Sequence, residues 1–220
     1  MSLEKNANGF HGFKITAKTF LFKAVWDIAC EIRGSGVTGW DFKSYILNTL
    51  FYRYISEKLC KRINEDEHKA GYKDFDYAKI SDDEIDAKIR EDVISEIGYF
   101  LYPSELFCNV VKNADKNHDL NIKLAEVFKN IEDSAKNTPK ILKEGGNNPS
   151  EKCFAGLFKD FDLNSESKLG NTLEKRNKKL ALLLTKIAAI DFCGDYMNQD
   201  NDVFGDVYEY LMGMYASDTG

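Results

Sequence analysis

The stretch from Trp40 to Ile63, WDFKSYILNTLFYRYISEKLCKRI, decides the fold. Its apolar side chains recur in two rows, Phe42, Ile46 and Leu50 in one and Phe51, Ile55, Leu59 and Ile63 in the other, each at the four-residue spacing that stacks side chains along an α-helix. A helix with two apolar rows is buried on more than one side, which predicts the central helix of a bundle. Upstream, Leu21, Val25, Ile28, Ala29 and Ile32 mark one face of a helix over 20–33 that Gly34 is placed to end.

Downstream the pattern is helical with interruptions. The polar connection from Asn64-Glu65-Asp66-Glu67 through Ile80 has no sustained period and reads as a surface loop. Ser81-Asp82-Asp83-Glu84 has the form of a capping box, opening a helix continued by Ile85, Ile89, Val93 and Ile97. Pro103 then biases Tyr102 away from helical angles, and the aromatic run before it favours extended backbone, which predicts a short strand pair or an extended segment near 98–103. Ser104 is placed to cap a short helix, and Leu120, Leu124, Val127, Phe128 and Ile131 mark a longer amphipathic one. Between Ala135 and Ser150, Asn137-Thr138-Pro139 and Gly145-Gly146-Asn147-Asn148-Pro149 predict a mobile loop or a subdomain boundary within one domain spanning 1–220. Leu180, Leu183, Leu184, Ile187 and Ile190 form another helix face, and Val203, Val207, Tyr210, Leu211 and Met214 the last. The expectation is an all-α fold, an irregular bundle of roughly seven to nine helices.

Composition sets the limits of function. With 30 Lys and Arg against 36 Asp and Glu, the formal charge is −6, so any nucleic-acid contact is confined to a local patch. Apolar residues at 43%, with 15 Gly and 3 Pro, support a packed core and exclude collagen-like or disordered chains. The apolar run at Leu180–Leu184 stops at Thr185-Lys186, too short for a membrane span, and Met1-Ser2-Leu3-Glu4-Lys5 lacks a secretory pattern, so a cytoplasmic protein without membrane partners is expected. Cys30, Cys60, Cys108, Cys153 and Cys193 form no Cys-x-x-Cys pair and are expected to be reduced and mostly buried. His11, His68 and His118 have no helical i, i+4 partner, so no metal site is expected.

No strand, Gly-rich turn and helix follow one another as a cofactor cradle, and neither Gly34-Ser35-Gly36 nor Gly145-Gly146 is placed to hold a phosphate. No nucleophile has a base beside it in sequence, and Asp82, Asp83 and Glu84 suit a helix start through the macrodipole. Two features are candidates for nucleic-acid contact. Lys175-Arg176-Asn177-Lys178-Lys179 places four positive side chains at a helix start, with Asn177 able to bond a phosphate or base edge; the alternative is a solvated helix face. The aromatic segment Trp40 to Tyr54, with Lys43 and Arg53, could stack an unpaired base; the alternative is core packing.

Arg33-Gly34-Ser35-Gly36-Val37-Thr38-Gly39-Trp40-Asp41-Phe42-Lys43, followed by Leu50-Phe51-Tyr52-Arg53-Tyr54-Ile55-Ser56-Glu57, resembles the N-terminal helical domain of the modification (M) subunit of type I restriction-modification systems. The resemblance continues in family order at Gly98-Tyr99-Phe100-Leu101-Tyr102-Pro103-Ser104, at Gly156-Leu157-Phe158-Lys159-Asp160-Phe161-Asp162 and at Leu169-Gly170-Asn171-Thr172. It ends at Asp202-Val203-Phe204-Gly205-Asp206-Val207-Tyr208-Glu209-Tyr210-Leu211. It implies part of a DNA adenine methyltransferase that uses S-adenosylmethionine, with two M subunits joining a specificity subunit on double-stranded DNA and restriction subunits able to join them. In that family the helical domain helps enclose DNA and contacts partners. The family's Gly-rich cofactor motif and Asn-Pro-Pro-aromatic tetrapeptide do not occur in these 220 residues. The resemblance therefore implies a fragment without catalytic or cofactor-binding residues, the methyltransferase domain being expected after Gly220. Lys175, Arg176, Asn177, Lys178, Lys179, Lys43 and Arg53 are its expected DNA contacts, and a helical module that docks only the specificity or restriction subunit is the alternative.

Overall fold

A computed structural model describes residues 17–32, 43–136 and 154–190 of the chain. Among them are seven α-helices: α1 (Ala17–Ile32), α2 (Lys43–Lys69), α3 (Ala87–Ile97), α4 (Phe107–Asn113), α5 (Leu120–Lys136), α6 (Glu166–Leu169) and α7 (Leu173–Ala188). Four single 3-10 turns lie between them, and no strand is present among the described residues. The fold is all-α.

At 1.5 Å per residue α2 is about 40 Å long, and both its apolar rows are put to use. It packs against α1, α4 and α7. The centre is shared, however, because α7 packs against α1, α2, α4, α5 and α6. Val25 of α1, Ile46, Leu50, Ile55 and Leu59 of α2, Leu124, Val127 and Ile131 of α5, and Leu180, Leu184 and Ile187 of α7 meet in one apolar core. Phe154, Phe158 and Phe161 enter that core from a stretch that is mostly turns. Phe158 stacks on Phe128 with centroids 4.1 Å apart, and Phe161 meets Tyr45 edge-on at 4.7 Å.

Buried tyrosines tie the irregular stretches to the helices. The hydroxyl of Tyr45 donates to the Asp162 carbonyl at 2.5 Å and that of Tyr52 to the Glu105 carbonyl at 2.5 Å. Tyr77 donates to Leu101 at 2.8 Å and Tyr99 to Ile55 at 2.9 Å. A loop carbonyl drawn into a core needs such a donor, and a tyrosine supplies it together with a large apolar ring.

Several expectations are corrected. Helix α2 does not end at Ile63 but continues to Lys69, because ion pairs Lys61–Glu65 and Arg62–Asp66 support the polar turn one helical turn apart. It stops where Gly71 takes φ 108°. The capping box at Ser81 is real, with Glu84 accepting from the Ser81 N–H at 2.9 Å, but it closes only a 3-10 turn. The helix behind it starts afresh at Ala87, capped by Asp86, which accepts from the Ile89 N–H at 2.8 Å.

The stretch 98–103 makes no strand pair: Gly98 is the left-handed cap of α3 (φ 90°), Pro103 opens a 3-10 turn, and the irregular residues between them end in an extended Tyr102. Side chains of its neighbours take the bonds a ladder would have made: Ser134 Oγ accepts from the Phe100 N–H at 3.0 Å, and Glu105 accepts from the Tyr102 N–H at 2.9 Å. Ser104 caps no helix; its N–H and hydroxyl both donate to Asp82, at 2.8 and 2.6 Å. Cys30 and Cys108 are exposed and Cys60 half-buried, so the described thiols are free but not mostly buried. Cys108 lies on the outer side of α4, whose Phe107 and Val110 point inward. Ala135 and Lys136 close α5, and the rest of the boundary expected at 135–150 and the helix expected over 203–214 lie outside the described residues, as do Cys153, Cys193 and His11.

Candidate nucleic-acid interface

The basic cluster begins at a tight corner. Helix α6 ends at Gly170, whose φ of 127° is a left-handed conformation that side chains disfavour, and a Cβ there would lie 2.8 Å from the Lys175 Cβ. Thr172 then caps α7 by accepting from the Lys175 N–H at 3.2 Å. Corner and cap together fix which residues of the run face in.

Asn177 faces in. Its exposure is 6%; its amide donates to the His118 carbonyl, and its Oδ1 accepts from the Asn121 N–H at 3.1 Å. Asn121 in turn donates to Asn164 at 2.8 Å. Asn177 is thus a strut between α7 and the start of α5. Its place was legible: it precedes Leu180, Ala181 and Leu184 at helical spacing and so shares their buried face.

Arg176 and Lys179 reach back along the corner. Arg176 donates to the Gly170 carbonyl at 3.2 Å and Lys179 to the Lys168 carbonyl at 2.8 Å. Both place positive charge on carbonyls at the C-terminal end of α6. Burial holds the Lys179 ammonium below the usual lysine range.

Lys175 and Lys178 face out. Lys175 donates to Asn171 at 3.2 Å. Lys178 pairs with Glu174 at 2.7 Å, with both side chains more than 70% exposed, and this pairing draws the Glu174 carboxyl below its ordinary range. Beside them opens a cleft of about 520 Å³ whose walls include Asp115, Asn117, His118 and Glu174.

The other two expected contacts lie apart. Lys43 opens α2 two residues before Tyr45, whose ring lies 5.7 Å from the Lys168 ammonium, so it shares an end of the bundle with the α6–α7 corner. Arg53 is at the opposite end of α7, about 18 Å along a helix that rises 1.5 Å per residue. With 12% of its side chain exposed, it donates to the carbonyls of Ile187 at 2.6 Å and Ile190 at 2.8 Å and pairs with Glu57 at 2.6 Å. It closes the C-terminal end of α7. No sequence signal marks this role, since the two carbonyls it meets are more than 130 residues away.

The described aromatics of the 40–54 segment are packed. Tyr45 and Tyr52 are buried, Phe51 lies against Phe154 and Phe158, and Tyr54 is half-buried with the Lys58 ammonium 5.7 Å from its ring. Lys168 was not singled out by sequence and His118 was weighed only as a metal ligand, yet both frame the corner, one through its carbonyl to Lys179 and the other through its carbonyl to Asn177. Among the described residues no three or more His, Cys, Asp or Glu side chains are placed to hold a metal ion. No described helix is long and apolar enough to cross a membrane.

A family model described as the HsdM N-terminal domain matches residues 21–187. The chain is similar to the type I restriction enzyme MpnII methylase subunit of Mycoplasma pneumoniae, 43% identical over 203 residues, a match spanning 90% of this chain and 35% of that protein. It is also similar to the crystal structure of the type I restriction-modification system methyltransferase subunit from Streptococcus thermophilus. There the TM-score is 0.64 at 28% identity, over 92% of this chain and 40% of that one. The chain therefore spans between a third and two fifths of the length of these relatives.

Proposed function

The chain belongs to the HsdM N-terminal domain family, the N-terminal domain of a type I restriction-modification methyltransferase subunit, and from that premise we propose that it is a non-catalytic module that helps enclose DNA and docks partner subunits. In this reading the whole subunit methylates adenine in the cytoplasm, with S-adenosylmethionine as methyl donor. Two such subunits join a specificity subunit, and restriction subunits can join the complex. We assign the cofactor and the chemistry to other parts of the whole subunit, in keeping with described residues that hold no strand leading into a Gly-rich turn.

The observation that supports DNA contact is the sorting of the basic run. Asn177, Arg176 and Lys179 anchor the first turns of α7 from within, and this leaves Lys175 and Lys178 presented together on a fixed helix start. Two lysines on a fixed helix start can neutralise neighbouring phosphates, and backbone contacts of this kind offset the few kcal/mol needed to turn a base out of the stack. The Glu174 partner and the net charge of −6 favour the second reading, docking without DNA.

Lys175→Gln with Lys178→Gln, made in the subunit assembled with its specificity partner, separates the two. The DNA reading expects weaker binding and a salt dependence shallower by about 2 in the log–log slope, near 0.9 for each phosphate that is no longer neutralised. Unchanged affinity and slope in an intact assembly would leave docking alone.

A further inference from the structure

We propose that Cys60 and Cys108 form a proximal thiol pair that a hydroperoxide converts into a disulfide, clamping α4 to α2. The two residues stand on different helices and line one cleft of about 430 Å³ together with Ser56, Asn64 and His68. Hydrogen bonds set their approach. Ser56, one helical turn before Cys60, accepts at 2.8 Å from the N–H of Phe107, the residue before Cys108. Asn109, the residue after Cys108, donates to the Ala78 carbonyl at 2.8 Å. Ala78 is itself held at α2 beside Cys60: the Cys60 sulfur accepts from the Asn64 side-chain amide at 3.7 Å, and the Asn64 side-chain oxygen accepts at 2.8 Å from the N–H of Tyr77, the residue before Ala78. Both chain neighbours of Cys108 are thereby tied to residues that flank Cys60.

Exposure orders the chemistry. Cys108 is open to solvent and Cys60 half-buried, so the oxidant meets Cys108 first. Burial pushes the Cys108 thiol up, with Lys112 partly offsetting it, while burial, and then the negative charge of Cys108, push Cys60 up to about 11. The Cys108 thiolate attacks a peroxide oxygen, the O–O bond breaks, and the leaving oxygen takes up a proton, giving a sulfenic acid at Cys108. The Cys60 sulfur then attacks the Cys108 sulfur; the S–O bond breaks and water departs with the Cys60 proton. Two thiols lose two electrons and the hydroperoxide gains them. Because burial raises both thiols, the reaction is slow at neutral pH and quickens as pH rises. Since α4 also packs against α7, the bridge fixes α4 between the two central helices.

The test is mass spectrometry of the 220-residue chain after hydrogen peroxide at about pH 8.5, near the ordinary thiol range, with remaining thiols alkylated and digestion done without reductant. The expected product is a peptide joining Cys60 to Cys108, two hydrogens lighter than its parts. It should be retained in Cys30→Ser, lost in Cys108→Ser and reversed by dithiothreitol. A Cys108 that advances to sulfinic acid while Cys60 remains alkylatable, or that pairs with a different cysteine, overturns the proposal. So does a chain in which all five thiols stay free.

Discussion

Asn177→Ala separates a structural strut from a nucleic-acid contact. The substitution leaves the buried Asn121 N–H without its acceptor, 3.1 Å away, and the His118 carbonyl without its donor. An unsatisfied buried donor or acceptor costs about 1–3 kcal/mol. The Asn121 amide is buried and falls at the upper end of that range, whereas the His118 carbonyl is only partly buried and falls at the lower end. Together they predict a loss of about 4 kcal/mol. For a chain of this size that lowers the melting temperature by about 8–16 °C. The assay is thermal unfolding followed by circular dichroism, with Lys178→Ala as an exposed control expected to change little. Asn177→Asp sharpens it, because a carboxylate still accepts from Asn121 but cannot donate to His118, and burial penalises its charge. If Asn177→Ala melts within a degree or two of the parent while DNA affinity of the assembled complex drops, the strut argument is wrong and Asn177 reads the nucleic acid.

Other outcomes follow from the same bonds. Tyr52→Phe keeps the ring contacts with Phe107 and Phe128 but strips the Glu105 carbonyl of its donor, and should cost about 1–3 kcal/mol in urea unfolding. Arg53→Met keeps most of the stem and loses the bonds to Ile187 and Ile190; a loss of about 1–3 kcal/mol, with hydrogen exchange rising first at the end of α7, is expected. Burial pushes Tyr45 up to about 12, and Tyr52, Tyr77 and Tyr99 are raised as well. Unfolded tyrosines ionise near 10, so above that pH the unfolded chain binds fewer protons than the folded one. The stability they support is complete below about pH 10 and is lost as pH climbs from 10 towards 12. Tyrosinate absorbance from these four should appear together with loss of helical signal; ionisation near pH 10 in a chain still fully helical would contradict their burial.

Much of the fold was legible because apolar side chains at helical spacing report which face is covered. The rows of Trp40–Ile63, the Leu120–Ile131 row and the Leu180–Ile190 row each correspond to a helix whose named described residues are buried or half-buried. Where polar bonds decide, periodicity is silent. The last turn of α2 is carried by ion pairs, the 98–103 stretch by Ser134 and Glu105, and Phe154, Phe158 and Phe161 are core residues set in turns with no period to expose them. At the candidate site the sign of the charge was readable and helical spacing sets Arg176 and Lys179 beside the buried face, four residues before Leu180 and Leu183, but their partners were not readable. They turn back to the carbonyls of Gly170 and Lys168, which no pattern within Lys175–Lys179 reveals.

The bonds from Tyr45 to Asp162 and from Arg53 to Ile187 span 117 and 134 residues, and they bear on the order in which the chain is synthesised. Helix α2 can wind as soon as it leaves the ribosome, yet the aromatic and apolar groups that cover it arrive some 100 residues later. At about 5–20 residues per second, its sticky side waits on the order of 10 s for Phe154, Phe158, Phe161 and α7 to emerge. During that interval the nascent chain is a ready client for chaperones. A ribosome stalled before residue 154 would hold out a helix covered only by α1, α4 and α5, its side towards Phe154, Phe158, Phe161 and α7 still bare, whereas one stalled well beyond Ile190 would display a closed bundle.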